Sequence, residues 1–144
     1  MAARNTARKR AFQILFEGDQ RGVDVQTVLG DWIRHSRTDT RQPPVSEYTM
    51  QLVEGYAKYA KRIDELISQY AVSWTLDRMP VVDRNILRLG AYELIWVDET
   101  PDAVVLDEAV QLAKEFSTDE SPAFVNGLLG RFKELKSSLR RDDT

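Results

Sequence analysis

The chain has 144 residues, 42% of them hydrophobic, and a net charge of −3, which suits one folded domain and excludes a disordered chain. It has no cysteine and one histidine, His35, which excludes disulfides, thiol nucleophiles and a zinc site of the usual ligands. Met1 leads into charge with no apolar run behind it, and no stretch of about 18 apolar residues exists, so neither a signal peptide nor a membrane span is expected. The expected location is the cytoplasm.

Apolar residues recur at helical spacing throughout, and no segment alternates with period two for long. The first helix is expected from about Arg4 to Asp19, stopping before Gly22. Ala3, Ala7, Ala11, Ile14 and Leu15 share one face. Arg8, Phe12, Asn5, Phe16 and Lys9 follow around the flank. A second helix should cover Val25 to His35, with Val25, Val28, Leu29, Trp32 and Ile33 on one face. After Pro43-Pro44, Ser46 is a plausible N-cap for a long third helix. Its stripe is Tyr48, Leu52, Val53, Tyr56, Ile63, Leu66, Ile67 and Tyr70.

Residues 72–80 read as a connector with room for one helical turn. The helix from Val82 to Val97 is apolar nearly all round, the mark of a central, buried element. The next helix has two possible starts, Thr100-Pro101 and Asp107. Asp107 is favoured because Val104-Val105 prefers extended backbone. That helix should bury Val110, Ala113 and Phe116. Ser121-Pro122 opens a last helix running to Leu139, with 140–144 frayed. The expected fold is all-α, six to seven helices in a single domain spanning 1–144.

Function is sought first in residues 1–10, which hold Arg4, Arg8, Lys9 and Arg10 and no acid. Cations at a helix N-terminus oppose its dipole by about 0.3–1 kcal/mol each at low salt. A phosphate-bearing ligand removes that conflict, and interleaved phenyl rings can stack on unpaired bases. Phe12 is better read as packed on a neighbouring helix. In the last helix, Gly127 and Gly130 fall off the apolar face, where each costs about 0.5–1 kcal/mol against alanine. Such glycines suggest close approach by another backbone or a ligand. Asp83, Arg84, Arg88 and Glu93 lie in apolar surroundings and read as buried ion pairs. His35 reads as a surface residue. No phosphate-binding glycine loop is present.

Four segments, in order, resemble the NusB family of bacterial transcription antitermination factors: residues 7–16 (ARKRAFQILF), 83–94 (DRNILRLGAYEL), 107–116 (DEAVQLAKEF) and 124–129 (FVNGLL). The resemblance covers nearly the whole chain. It implies an all-helical fold of two roughly perpendicular subdomains with no cofactor, no metal and no catalysis. It implies binding to boxA-type nascent RNA jointly with NusE, a small-subunit ribosomal protein, and entry into the RNA polymerase elongation complex, chiefly on ribosomal RNA operons. For RNA it points to Arg4, Arg8, Lys9, Arg10, Phe16, Glu120 and Phe124. For the NusE contact it points to Asp77 and Asp83, which would turn Asp83 from a buried pair into an interface residue. Asn5 and Thr6 interrupt the basic run, and Ala123 stands where some relatives carry lysine. Both departures imply RNA affinity that is weaker or leans more on NusE. Two other readings compete. One is the helical domain found on ribosomal RNA cytosine methyltransferases, whose catalytic cysteine this chain lacks. The other is a protein-interaction module or homodimer using Phe12 or Phe16.

Overall fold

The first helix, α1, runs Ala2–Arg21 and ends where expected. Gly22 sits at φ 69°, in the left-handed region that a side chain disfavours. Its N–H bonds to the Asp19 carbonyl, and the Val23 N–H to the Gly18 carbonyl, which closes the helix end with the paired bonds of a Schellman motif. These observations come from a computed structural model that describes residues 2–72 and 74–140, with Ala2 described by its backbone only.

Six further helices follow among the described residues: α2 Val25–Thr38, α3 Glu47–Tyr70, α4 Val81–Trp96, α5 Asp102–Phe116, α6 Ser121–Glu134 and α7 Lys136–Leu139. The chain divides into two compact units, residues 1–58 and 59–144, with α3 passing through the division. No helix is long and apolar enough to cross a membrane among the described residues.

In the first unit, α1 buries Ala7, Ala11, Phe12, Ile14 and Leu15, and α2 buries Val28 and Leu29. Ala3, expected on the buried face, is exposed. Asp24 caps α2 by accepting from the Gln26 N–H. Ser46 caps α3, its Oγ accepting from the Thr49 N–H at 3.1 Å. The Thr49 hydroxyl donates to the Ala7 carbonyl at 3.0 Å in a buried bond that pins the start of α3 to α1.

In the second unit, α4 is the central element, with Ile86, Leu87, Leu89, Ala91, Leu94 and Ile95 buried. Gly90 admits Leu129 of α6, whose Cδ1 would lie 2.8 Å from a Cβ placed there. Tyr59 stacks on Trp96 with ring centroids 4.3 Å apart, and Tyr92 joins the same stack. The connector before α4 contains one turn, closed by N–H bonds from Arg78 and Met79 to the Thr75 carbonyl.

Two expectations about boundaries are corrected. Helix α5 starts at Asp102, not Asp107, with Pro101 as its cap residue at ψ 142°. Val104 and Val105 therefore lie in its first turn. Val105 is 2% exposed, and burying such a side chain contributes about 1.5–3 kcal/mol, more than the few tenths by which valine disfavours helix. The helix buries Val105, Ala109, Leu112 and Ala113, while Val110 and Phe116 are only half-buried. The last helix does not run unbroken to Leu139. At Leu135 the N–H is shared between the Arg131 and Phe132 carbonyls, and the chain re-enters as α7. That turn buries Leu139. Lys136 reaches Asp102 at 2.8 Å and Arg140 grips Asp98 with its two terminal guanidinium nitrogens. Arg140 is thus held, contrary to the expected fraying, and 141–144 lie outside the described residues.

Candidate functional site

The four basic residues at the start of α1 have different environments. Arg4 is exposed, its guanidinium carbon 4.2 Å from the centre of the Tyr48 ring. Lys9 is half-exposed. Arg10 is half-buried, lies 5.2 Å over the Trp32 ring and donates to the Pro44 carbonyl at 2.9 Å. Arg8 departs from expectation. It is 4% exposed and lies 5.7 Å over the same Tyr48 ring. Its residue type suits phosphate, but burial makes it a support for the start of α1 and α3 and not an open donor. The first turn of α1 contains no acid, so the dipole conflict inferred for this helix stands unrelieved by its own first turn.

Phe12 is 3% exposed and belongs to the core. Phe16 is half-exposed, 6.1 Å from Phe12 between ring centres. At helical spacing Phe16 and Lys9 fall within about 20° of each other around α1. The exposed part of α1 thus pairs a cation with an aromatic ring. Phe12 is not available for the surface role that a homodimer reading gave it.

The remaining candidates lie in the second unit. Glu120 is exposed just before α6. Phe124 is half-exposed and lines an open groove of about 530 Å³ with Tyr70, Val72, Gly127 and Arg131. A Cβ at Gly127 or Gly130 would meet nothing within 4 Å. Close packing within the chain therefore does not explain either glycine. Gly127→Ala is expected to raise stability by about 0.5–1 kcal/mol, read by chemical denaturation, because the site is open and helical.

Asp77 is exposed, and a hydrogen bond from the Thr75 hydroxyl, then local backbone N–H groups, holds its carboxyl below the ordinary range. Asp83 is different. It is 4% exposed, buried as the ion-pair reading expected and covered by its own chain. Its partners are hydroxyls and not arginines: Ser117 donates to one oxygen and Ser121 to the other, the latter at 2.8 Å. Ser121 opens α6, so the carboxylate lies at that helix's positive end, where an anion is favoured. Arg88 instead pairs with Asp64 through two bonds, 2.8 and 3.0 Å. Tyr48 and Trp32, expected only on the apolar faces of their helices, lie against the cations of α1, and the Ser117–Ser121 hydroxyls had no place in the expected site. The cluster Ser117, Thr118, Ser121 ahead of a helix was the available signal for the last.

The pattern of the NusB family matches residues 5–134. The chain is 91% identical to the transcription antitermination protein NusB of Streptomyces avermitilis over 143 residues, 99% of each chain. A T. maritima NusB structure superposes with a TM-score of 0.78 at 33% identity, covering 91% of this chain and 90% of that one. A crystal structure of antitermination factors NusB and NusE in complex with double-stranded RNA matches with a TM-score of 0.78 at 28% identity, covering 93% and 98%. The chain belongs to the NusB family.

Proposed function

We propose that this chain is a non-catalytic transcription antitermination factor that binds boxA-type nascent RNA together with NusE. In this reading it acts in the cytoplasm, joining the RNA polymerase elongation complex, chiefly on ribosomal RNA operons. The observation that carries the RNA part is the start of α1, where exposed Arg4 and half-exposed Lys9 stand on a helix end with no acid in its first turn. Family membership and the related NusB–NusE–RNA complex support the choice of ligand and partner. Phe16 and Phe124 would offer faces for bases, and Glu120 would accept from a base or ribose hydroxyl. Exposed Asp77 would meet NusE. Arg8 and Asp83 would act indirectly, by holding α1 and the start of α6.

Titration of a labelled boxA-type RNA at increasing salt tests the proposal. Each phosphate neutralised adds about 0.7–0.9 to the negative slope of log affinity against log salt. A steep negative slope is expected. A flat dependence, or no binding with NusE present, would sink it. Self-association is the second reading and rests on half-exposed Phe16. Sedimentation that finds a monomer at every concentration removes it.

A further inference from the structure

Between α1 and α2 lies a pocket of about 320 Å³, lined by Arg10, Glu17, Asp31, Trp32, His35 and Gln42 among others. It is at the small end of ligand pockets, which run roughly 300–1,000 Å³. One wall is formed by the Arg10 guanidinium over the Trp32 indole, 5.2 Å from the ring centre, and Arg10 is held there by its bond to the Pro44 carbonyl. The indole is itself fixed, its Nε1 donating to Glu17 at 2.9 Å. The two acids are neutralised. Arg21 pairs with Glu17 at 2.8 Å and with Asp31 at 3.3 Å, and Arg34 also bonds Asp31. Arg10 is then the cation in surplus.

We propose that this pocket takes one unpaired RNA base bearing an exocyclic amino group. The proposal rests on the RNA-binding reading of α1 and deepens it. A fixed indole–guanidinium wall is a stacking platform for a flat ring. Each oxygen of Glu17 and Asp31 already accepts one bond, from Arg21, Trp32 or Arg34, and keeps a lone pair that can accept from an amino group. The Gln42 amide both donates and accepts, which completes an edge for the base. Arg4 and Arg10 lie about 9 Å apart along α1 and about 120° apart around it, a span that a few nucleotides would cover. A peptide fits less well, because Trp32 is the one large apolar group in the lining among the described residues.

The test uses the full chain and a boxA-type oligoribonucleotide in which each nucleotide in turn is made abasic. One position is expected to cost about tenfold in affinity with the native protein and nothing with Trp32→Ala, as for loss of one stacked base. Trp32→Phe keeps a ring and should keep most of that penalty. Gln42→Ala leaves the wall intact and should lower discrimination at that position only, which holds the test if Trp32→Ala is poorly folded. An Arg4→Ala/Lys9→Ala variant should lose overall affinity yet keep the position-specific penalty. Equal abasic profiles in native and Trp32→Ala protein would overturn the pocket while leaving RNA binding by α1 intact. Loss of NusE binding with RNA binding unchanged in Trp32→Ala would assign the pocket to protein and overturn it also. Absence of salt-dependent RNA binding by the native protein would overturn both readings.

Discussion

Replacing Asp83 with alanine is expected to lower stability by about 2–4 kcal/mol, seen as an earlier midpoint in urea at unchanged slope. The carboxylate accepts from the Ser117 and Ser121 hydroxyls in a site 4% exposed. Removing it strands two donors and removes the anion at the start of α6. Each stranded group costs about 1–3 kcal/mol, less what the hydroxyls recover by turning to each other, since Ser117 and Ser121 already lie 2.9 Å apart. Asp77→Ala is the control. Asp77 is exposed, and its removal should leave the midpoint close to that of the native chain. If Asp83 served a partner interface, Asp83→Ala would leave the folded chain as stable as before and weaken only the complex. Equal midpoints for the two variants would therefore refute the structural role given to Asp83.

Arg4→Ala/Lys9→Ala is expected to weaken boxA-type RNA binding about tenfold or more at low salt and to flatten the salt slope by about 1.4–1.8, two phosphate contacts' worth. Stability should hardly change. Losing Arg4 relieves about 0.3–1 kcal/mol of conflict with the helix dipole and forfeits about 0.5–1 kcal/mol of attraction to the Tyr48 ring. The two nearly cancel, so the binding loss reads as contact loss. Arg8→Ala lacks that clarity. Its side chain is buried against Tyr48, and its removal opens a gap beneath the helix start. A fall in RNA binding in Arg8→Ala accompanied by a fall in melting temperature supports the indirect role. A fall in affinity with full stability would make Arg8 a direct contact.

Local signals were legible where one short stretch decides the outcome. Gly22 ends α1 because only its own backbone angle matters there, and Ser46 caps α3 through a residue three positions on. The all-round apolar pattern of α4 announced its burial. The start of α5 was not legible, because the deciding fact is the burial of Val105 against other elements. The break at Leu135 was hidden for the same reason, since no glycine or proline marks it. In the candidate site, the type of charge was readable but its exposure was not. Arg8 is covered partly by Tyr48, forty positions away, and Asp83 is matched by hydroxyls 34 and 38 positions away. Arg10 looked like its neighbours and proved to be fixed on Trp32 and Pro44.

In the proposed function, Arg4 and Lys9 of α1 hold RNA in a complex shared with NusE. The most direct measurement is the affinity of native protein and the Arg4→Ala/Lys9→Ala variant for boxA-type RNA, each with and without NusE. The expected result is salt-dependent binding by the native chain that NusE tightens, with the variant weaker in both settings and still able to bind NusE alone. Equal RNA affinity of native and variant protein, with NusE present and absent, would contradict the claim.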